Sequence, residues 1–256
     1  MSIVRIQRQI AILIVVLSYA VLVSADQTVT YVDVAQWAVK RISSWSPPGQ
    51  SYMKDAAEST DEANLRYRSI ADDALEIAFD PKEAPLFSGP IGRSKTAALL
   101  LSIANSESGF RKDVDTGIGE RSRGDGGTSW CLMQIKLGAL SKGKTVKRIK
   151  LTSDTFVYSN ESTDIGGEDL VVNRKACFRV GLHIIRYSFK ACSSLPEDER
   201  LSAYASGNCN NGKTASRYRV GMANNWVKKN APLANDSEIM ALIPVPEITG
   251  AAAPID

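Results

Sequence analysis

Glu107 stands where an ionisable side chain is least at home. Leu100, Ile103, Ala104 and Glu107 fall at i, i+3, i+4 and i+7 and so share one face of a helix. Gly109 follows and can end that helix. The carboxyl therefore continues an apolar stripe in the helix's last turn. Burial disfavours its charged form, and the negative end of the helix dipole adds to the effect. A carboxyl kept protonated near neutral pH can hand a proton to a leaving group, as glycosidic cleavage requires. The competing expectation is a helix that simply ends, with Glu107 in water.

A second polar group sits among apolar ones. Gly124-Asp125-Gly126-Gly127-Thr128-Ser129-Trp130-Cys131-Leu132-Met133-Gln134-Ile135 begins as a glycine-rich loop and ends as an apolar run that contains Gln134. A buried amide is costly unless it is paired, so Gln134 is expected to face a partner. Other chemistry is weaker. The single histidine, His183, lies in a helical pattern and reads as structural rather than as the base for a Cys131 nucleophile. Asp113-x-Asp115-x-Gly117 is only a fragment of a calcium loop, lacking the glutamate at position twelve, so no metal and no cofactor are expected. Trp130 is read either as a platform for a sugar ring or as core packing. Tyr218, Met222 and Trp226, spaced by fours, read as core.

Several helices must position these groups. Periodicity predicts helices over residues 55–80, 94–108, 174–190 and 214–229, and another opened by Pro196 and ended by Gly207. Residues 109–129 read as a long loop, 132–135 as a short strand or hairpin edge, and 136–169 as loop with weak strand character at 155–158. The fold class is mostly α, an α+β arrangement with one small β element and long loops. Residues 26–54 are ambiguous, with an amphipathic hint in Val34, Trp37, Ala38 and Ile42. Residues 55–230 form the expected domain, and 231–256, with four prolines, read as a flexible tail.

The chain of 256 residues carries 31 basic and 28 acidic side chains, a net charge of +3. No dense basic face with interleaved aromatics points to nucleic acid; a mildly basic protein still suits an anionic polymer. Arg5 and Arg8 precede an uncharged apolar run over residues 11–23, and Ala25 precedes Asp26. That pattern reads as a secretory signal over residues 1–25, with an uncleaved N-terminal anchor as the alternative and the only expected link to a membrane. An exported protein turns four cysteines into candidates for two disulfides. Cys177 and Cys192 are roughly 20 Å apart along one predicted helix, beyond bridging distance. Cys177 is therefore left to Cys131 or Cys209.

The motifs, taken in order, resemble lysozyme-like lytic transglycosylases of the soluble type, together with goose-type lysozymes. The helix ending Glu107-Ser108-Gly109-Phe110 matches the family's Glu-Ser helix end. Cys131-Leu132-Met133-Gln134-Ile135 matches its Gly-Leu-Met-Gln-Ile turn, and Ala203-Tyr204-Ala205-Ser206-Gly207 its Ala-Tyr-Asn-Ala-Gly. Cys177 and Gly181 occupy the places of an Asn and a Gly on a third helix. Together the motifs span residues 96–230.

The resemblance implies that Glu107 is a single catalytic acid/base, contacted by the hydroxyl of Tyr204. It implies that Ser108, Met133 and Gln134 line or support a glycan groove, with Gln134 meeting sugar; Trp130, beside this motif, is the candidate sugar platform named above. Cys131 and Cys177 replace a glycine and an asparagine on neighbouring elements, which implies Cys131–Cys177 and, by remainder, Cys192–Cys209. The implied reaction cleaves the β-1,4 bond between N-acetylmuramic acid and N-acetylglucosamine in peptidoglycan, leaving a 1,6-anhydro end without consuming water. Goose-type enzymes place an aspartate in a Gly-Asp-x-Gly turn nine residues before the glutamine, which is Asp125 here; their second aspartate is Lys136. Lysozyme-type hydrolysis with Asp125 positioning water is thus the close alternative, and a non-catalytic wall-binding protein a third. The expected partners are glycan strands, met by a monomer in the periplasm or outside the cell.

Overall fold

The protein's computed structural model describes residues 29–49, 57–137, 147–153, 155–232 and 234–243. The signal-like segment 1–25 and the end of the tail, 244–256, lie outside the described residues. The fold is mostly helical, with two small antiparallel sheets. Among the described residues no helix is long and apolar enough to cross a membrane.

The centre is α3, Gly92–Ser108. Its run from Ala97 to Leu101, with Ile103 and Ala104, is fully buried. Such a helix needs neighbours on all sides. It has α1 (Tyr31–Trp45), α2 (Thr60–Phe79), α6 (Arg174–Ala191), α8 (Lys213–Lys229) and α9 (Asp236–Leu242) around it. The helix α2 starts later than the predicted residue 55: Ser59 caps it, and Glu62 returns the bond to the Ser59 backbone. Helix α1 buries Val34, Trp37, Ala38 and Ile42, so the ambiguous N-terminal segment supplies part of the core.

The N-terminus of α3 has no capping side chain of its own at Ile91. Asp236 fills that role from the far end of the chain. Its carboxylate accepts from the backbone N–H groups of Arg93 (2.7 Å) and Ser94 (3.1 Å) and from the Ser94 hydroxyl (2.8 Å). The expected flexible tail is therefore in part a docked helix, α9, which also buries Ile239.

The long loop after α3 contains a short helix, α4 (Lys112–Thr116). Asp113 and Asp115, the calcium-loop fragment, are taken up by Arg111 and by Arg174 and Arg66. The expected short strand or hairpin edge at 132–135 is part of a hairpin, with Leu132 to Gln134 in its turn and Ile135 in its second strand. Strand β1 (Ser129–Trp130) pairs with β2 (Ile135–Lys136) in the register Trp130↔Ile135, and Cys131 to Gln134 connect them. A second hairpin, β3 (Arg148–Leu151) with β4 (Phe156–Ser159), pairs Leu151 with Phe156. Helix α5, Gly167–Val172, leads into α6.

The predicted helix between Pro196 and Gly207 is broken into a 3-10 turn, Glu197–Glu199, and α7, Ser202–Ser206. The cause is competition for backbone groups. The Ser216 hydroxyl accepts from Leu201 N–H and donates to the Asp198 carbonyl. The Ser188 hydroxyl accepts from Tyr204 N–H and donates to the Arg200 carbonyl. Two serines on flanking helices thus replace bonds that a continuous helix would make.

Both disulfides pair as the resemblance implied, Cys131–Cys177 and Cys192–Cys209. Together they use all four cysteines, which places the chain in an oxidising, exported environment. His183 is structural, as expected. It is buried, within hydrogen-bond reach of Glu83 and of the Thr155 carbonyl. Burial alone would raise the Glu83 carboxyl, but hydrogen bonds from His183 and Arg186 outweigh it and hold the carboxyl at about 2.

Candidate active site

Glu107 lies in the last turn of α3, on the face that Leu100, Ile103 and Ala104 bury. Its side chain keeps 22% of its exposure, enough to reach a cleft of about 970 Å3. The chain leaves the helix through two successive left-handed residues, Gly109 (φ 59°) and Phe110 (φ 53°). Phe110 is buried, so it holds the exit in place despite the strain of that backbone. Ser108, implied as a substrate contact, is instead buried. Its hydroxyl donates to the Ala104 carbonyl and accepts from Phe110 N–H, which fixes the helix end.

Burial pushes the Glu107 carboxyl above the usual carboxylate range; the Arg219 charge pulls it down and the Asp125 charge pushes it up. Desolvation is the larger effect even though Arg219 Nη2 lies only 2.7 Å from Oε1. This ion pair had no counterpart in the sequence reading. No local pattern marks Arg219, because it meets Glu107 only through the packing of α8 on α3.

Tyr204 comes to the same cleft on α7. Its hydroxyl does not hydrogen-bond Glu107, as the resemblance implied; it donates to the Met133 carbonyl at 2.8 Å. It is still electrostatically close. Burial pushes the phenol well up, the Glu107 charge adds to this, and Arg219 opposes it. Tyr204 thus fastens the β1–β2 turn to the floor of the cleft.

The turn itself depends on Gln134. Its Oε1 accepts from Gly124 N–H at 2.9 Å and its Nε2 donates to the Cys131 carbonyl at 3.0 Å. The carbonyl oxygen and one N–H of the amide are thus engaged by its own loop. A Cβ on Gly124 would stand 2.2 Å from Oε1, so the glycine is what admits the contact. Gln134 still lines the cleft. Met133 is fully buried, and its sulfur occupies the space a Cβ on Gly181 would need. Trp130 is core and not a platform: it is buried, stacked under the Arg123 guanidinium at 3.7 Å and packed against Gly167.

Asp125 opens the turn at φ 50°, on the cleft wall. Its carboxylate accepts from the Ser129 hydroxyl (3.2 Å) and lies 3.4 Å from Lys136 Nζ. Lys136 thus partners Asp125 across the hairpin. A further part of the cleft lining is aromatic. Phe156 stands edge-on to Tyr158 (5.5 Å between centroids) and to Tyr187 (5.8 Å). Tyr158 and Tyr187 are each 51% exposed. This wall went unread in the sequence, although Phe156 and Tyr158 at i and i+2 of a strand must share a face. Tyr218, expected in the core, is exposed. Among the described residues no group of three or more His, Cys, Asp or Glu is placed to hold a metal.

No family model, no curated protein and no solved structure matches the chain.

Proposed function

We propose that the protein cleaves the β-1,4 bond between N-acetylmuramic acid and N-acetylglucosamine in peptidoglycan, as a lytic transglycosylase outside the cytoplasm. The observation that carries this reading is one carboxyl, raised by burial, at a helix end inside a cleft of glycan-compatible size. The motif order that resembles the transglycosylase family supports the same reading. Glu107 as the acid protonates the glycosidic oxygen while the bond to C1 of the muramyl residue breaks. The resulting carboxylate takes the proton of the C6 hydroxyl as O6 bonds to C1. Atoms balance without water, and no cofactor is involved. The aromatic wall supplies flat apolar faces for sugar rings, and glycan strands are the partner.

Hydrolysis of the same bond is the second reading, favoured by Asp125 on the same cleft. Its carboxylate is partnered by Lys136 and Ser129, which leaves it less free to hold a water as a base. A glycan-binding protein without turnover is the third. Zymography on purified wall decides between activity and binding. Glu107→Gln is expected to abolish clearing while leaving the thermal midpoint near wild type; equal clearing by both sinks the assignment. Mass spectrometry of the released fragments then separates the chemistries, anhydro ends for transglycosylation and reducing ends for hydrolysis.

A further inference from the structure

Arg219 gives its charge to one carboxylate. Nη2 lies 2.7 Å from Glu107 Oε1, and Nη1 is buried without a hydrogen-bond partner among the described residues. An orphaned donor in a buried arginine is unusual and asks for a reason. Its backbone is fixed to the helix that carries Glu107: the Ser102 hydroxyl donates to the Arg219 carbonyl at 2.8 Å. The guanidinium carbon also stands 6.0 Å from the centroid of the Tyr204 ring. Arg219 therefore belongs to the same cluster as the acid and the tyrosine.

Resting on the reading of Glu107 as the acid/base, we infer that Arg219 is a positioning residue that holds the Glu107 carboxylate in place between its two proton transfers. Among the described residues, charged and titratable groups reach the surroundings of Glu107 from several elements. Arg219 comes from α8, Tyr204 from α7, and Asp125 from the glycine-rich turn, with Lys136 of β2 partnering Asp125. When Glu107 gives its proton to the glycosidic oxygen, the carboxylate left behind is the charge Arg219 receives. When that carboxylate takes the C6 hydroxyl proton, the pair loosens again. Arg219 thus stabilises the state between the two transfers.

The signs follow from the charges. The acid step needs protonated Glu107, so the rate falls as pH rises through the carboxyl's titration. Removing the Arg219 charge leaves burial and Asp125 unopposed, and the high-pH limb moves up. Removing the Asp125 charge moves it down.

The test uses the full chain with Arg219→Met, Arg219→Lys and Asp125→Asn. Wall-clearing rates are measured against pH, and the Glu107 carboxyl is titrated by 13C NMR, assigned with Glu107→Gln. Arg219→Met is expected to shift the limb and the NMR midpoint upward and to lower kcat about tenfold or more with little change in KM. Arg219→Lys restores the midpoint toward wild type, and Asp125→Asn shifts it downward. If Arg219→Met does not fold, Arg219→Gln carries the same expectation. A lowered rate with an unmoved midpoint means that the arginine is merely structural and overturns the inference. If the midpoints move as stated but wild type releases no fragments, the arginine's role stands and the glycan-cleaving reading fails.

Discussion

The β1–β2 turn makes demands that single residues must meet. Cys131 (φ 58°) and Gln134 (φ 48°) both hold a left-handed backbone that favours glycine. At position 131 the resembling motif has glycine, and here the Cys131–Cys177 bond holds a strained residue in that role. The two costs can be separated. Cys131→Ala and Cys131→Gly lose the same disulfide, but only Ala keeps the strain. Cys131→Gly is expected to be the more stable by about 1 kcal/mol in denaturant titration; the reverse order would show that φ is not the constraint. Residue types were legible where a regular face defined them. Glu107 was found because three buried neighbours share its helix face. Gln134 was recognised as needing a partner, yet its partners are backbone groups of a non-repeating turn. Arg219 was invisible, since an ion pair between distant helices leaves no local spacing to read.

The elements that a single period describes were also legible, and those set by competition were not. Helices α2, α6 and α8 carry apolar stripes and α3 an apolar run buried all round, and their positions follow from those patterns. The segment 196–207 carries helix signals at both ends, but the hydroxyls of Ser188 and Ser216 take its backbone groups. The hairpin β3–β4 is short, with polar and apolar residues mixed, so its strand signal was weak. Yet it delivers Phe156 and Tyr158 to the cleft beside Tyr187 of α6. If this wall binds sugar equally in the ground and transition states, Tyr158→Ala and Tyr187→Ala raise KM for glycan roughly 3- to 10-fold each and leave kcat near wild type. A fall in kcat at constant KM would assign these tyrosines to the chemistry instead.

At the scale of the whole molecule, distant segments close the structure around α3. The two disulfides span 46 and 17 residues, and loop-closure entropy puts their contributions at about 4 and about 3 kcal/mol. Four cysteines behind an export-like N-terminal pattern are the sequence features that point to them. Within the tail, the helix Asp236–Leu242 was missed because one short amphipathic turn among prolines gives little periodicity. Its Asp236 nevertheless holds the opposite pole of the rod whose last turn carries Glu107, about 20 Å away along the axis. Asp236→Ala is expected to cost about 1 kcal/mol, read as a lowered thermal midpoint. A chain ended at residue 230 would therefore keep the groups that line the cleft and still uncap the seventeen-residue support on which the proton donor rides. The boundary drawn by chemistry and the boundary drawn by mechanics do not coincide.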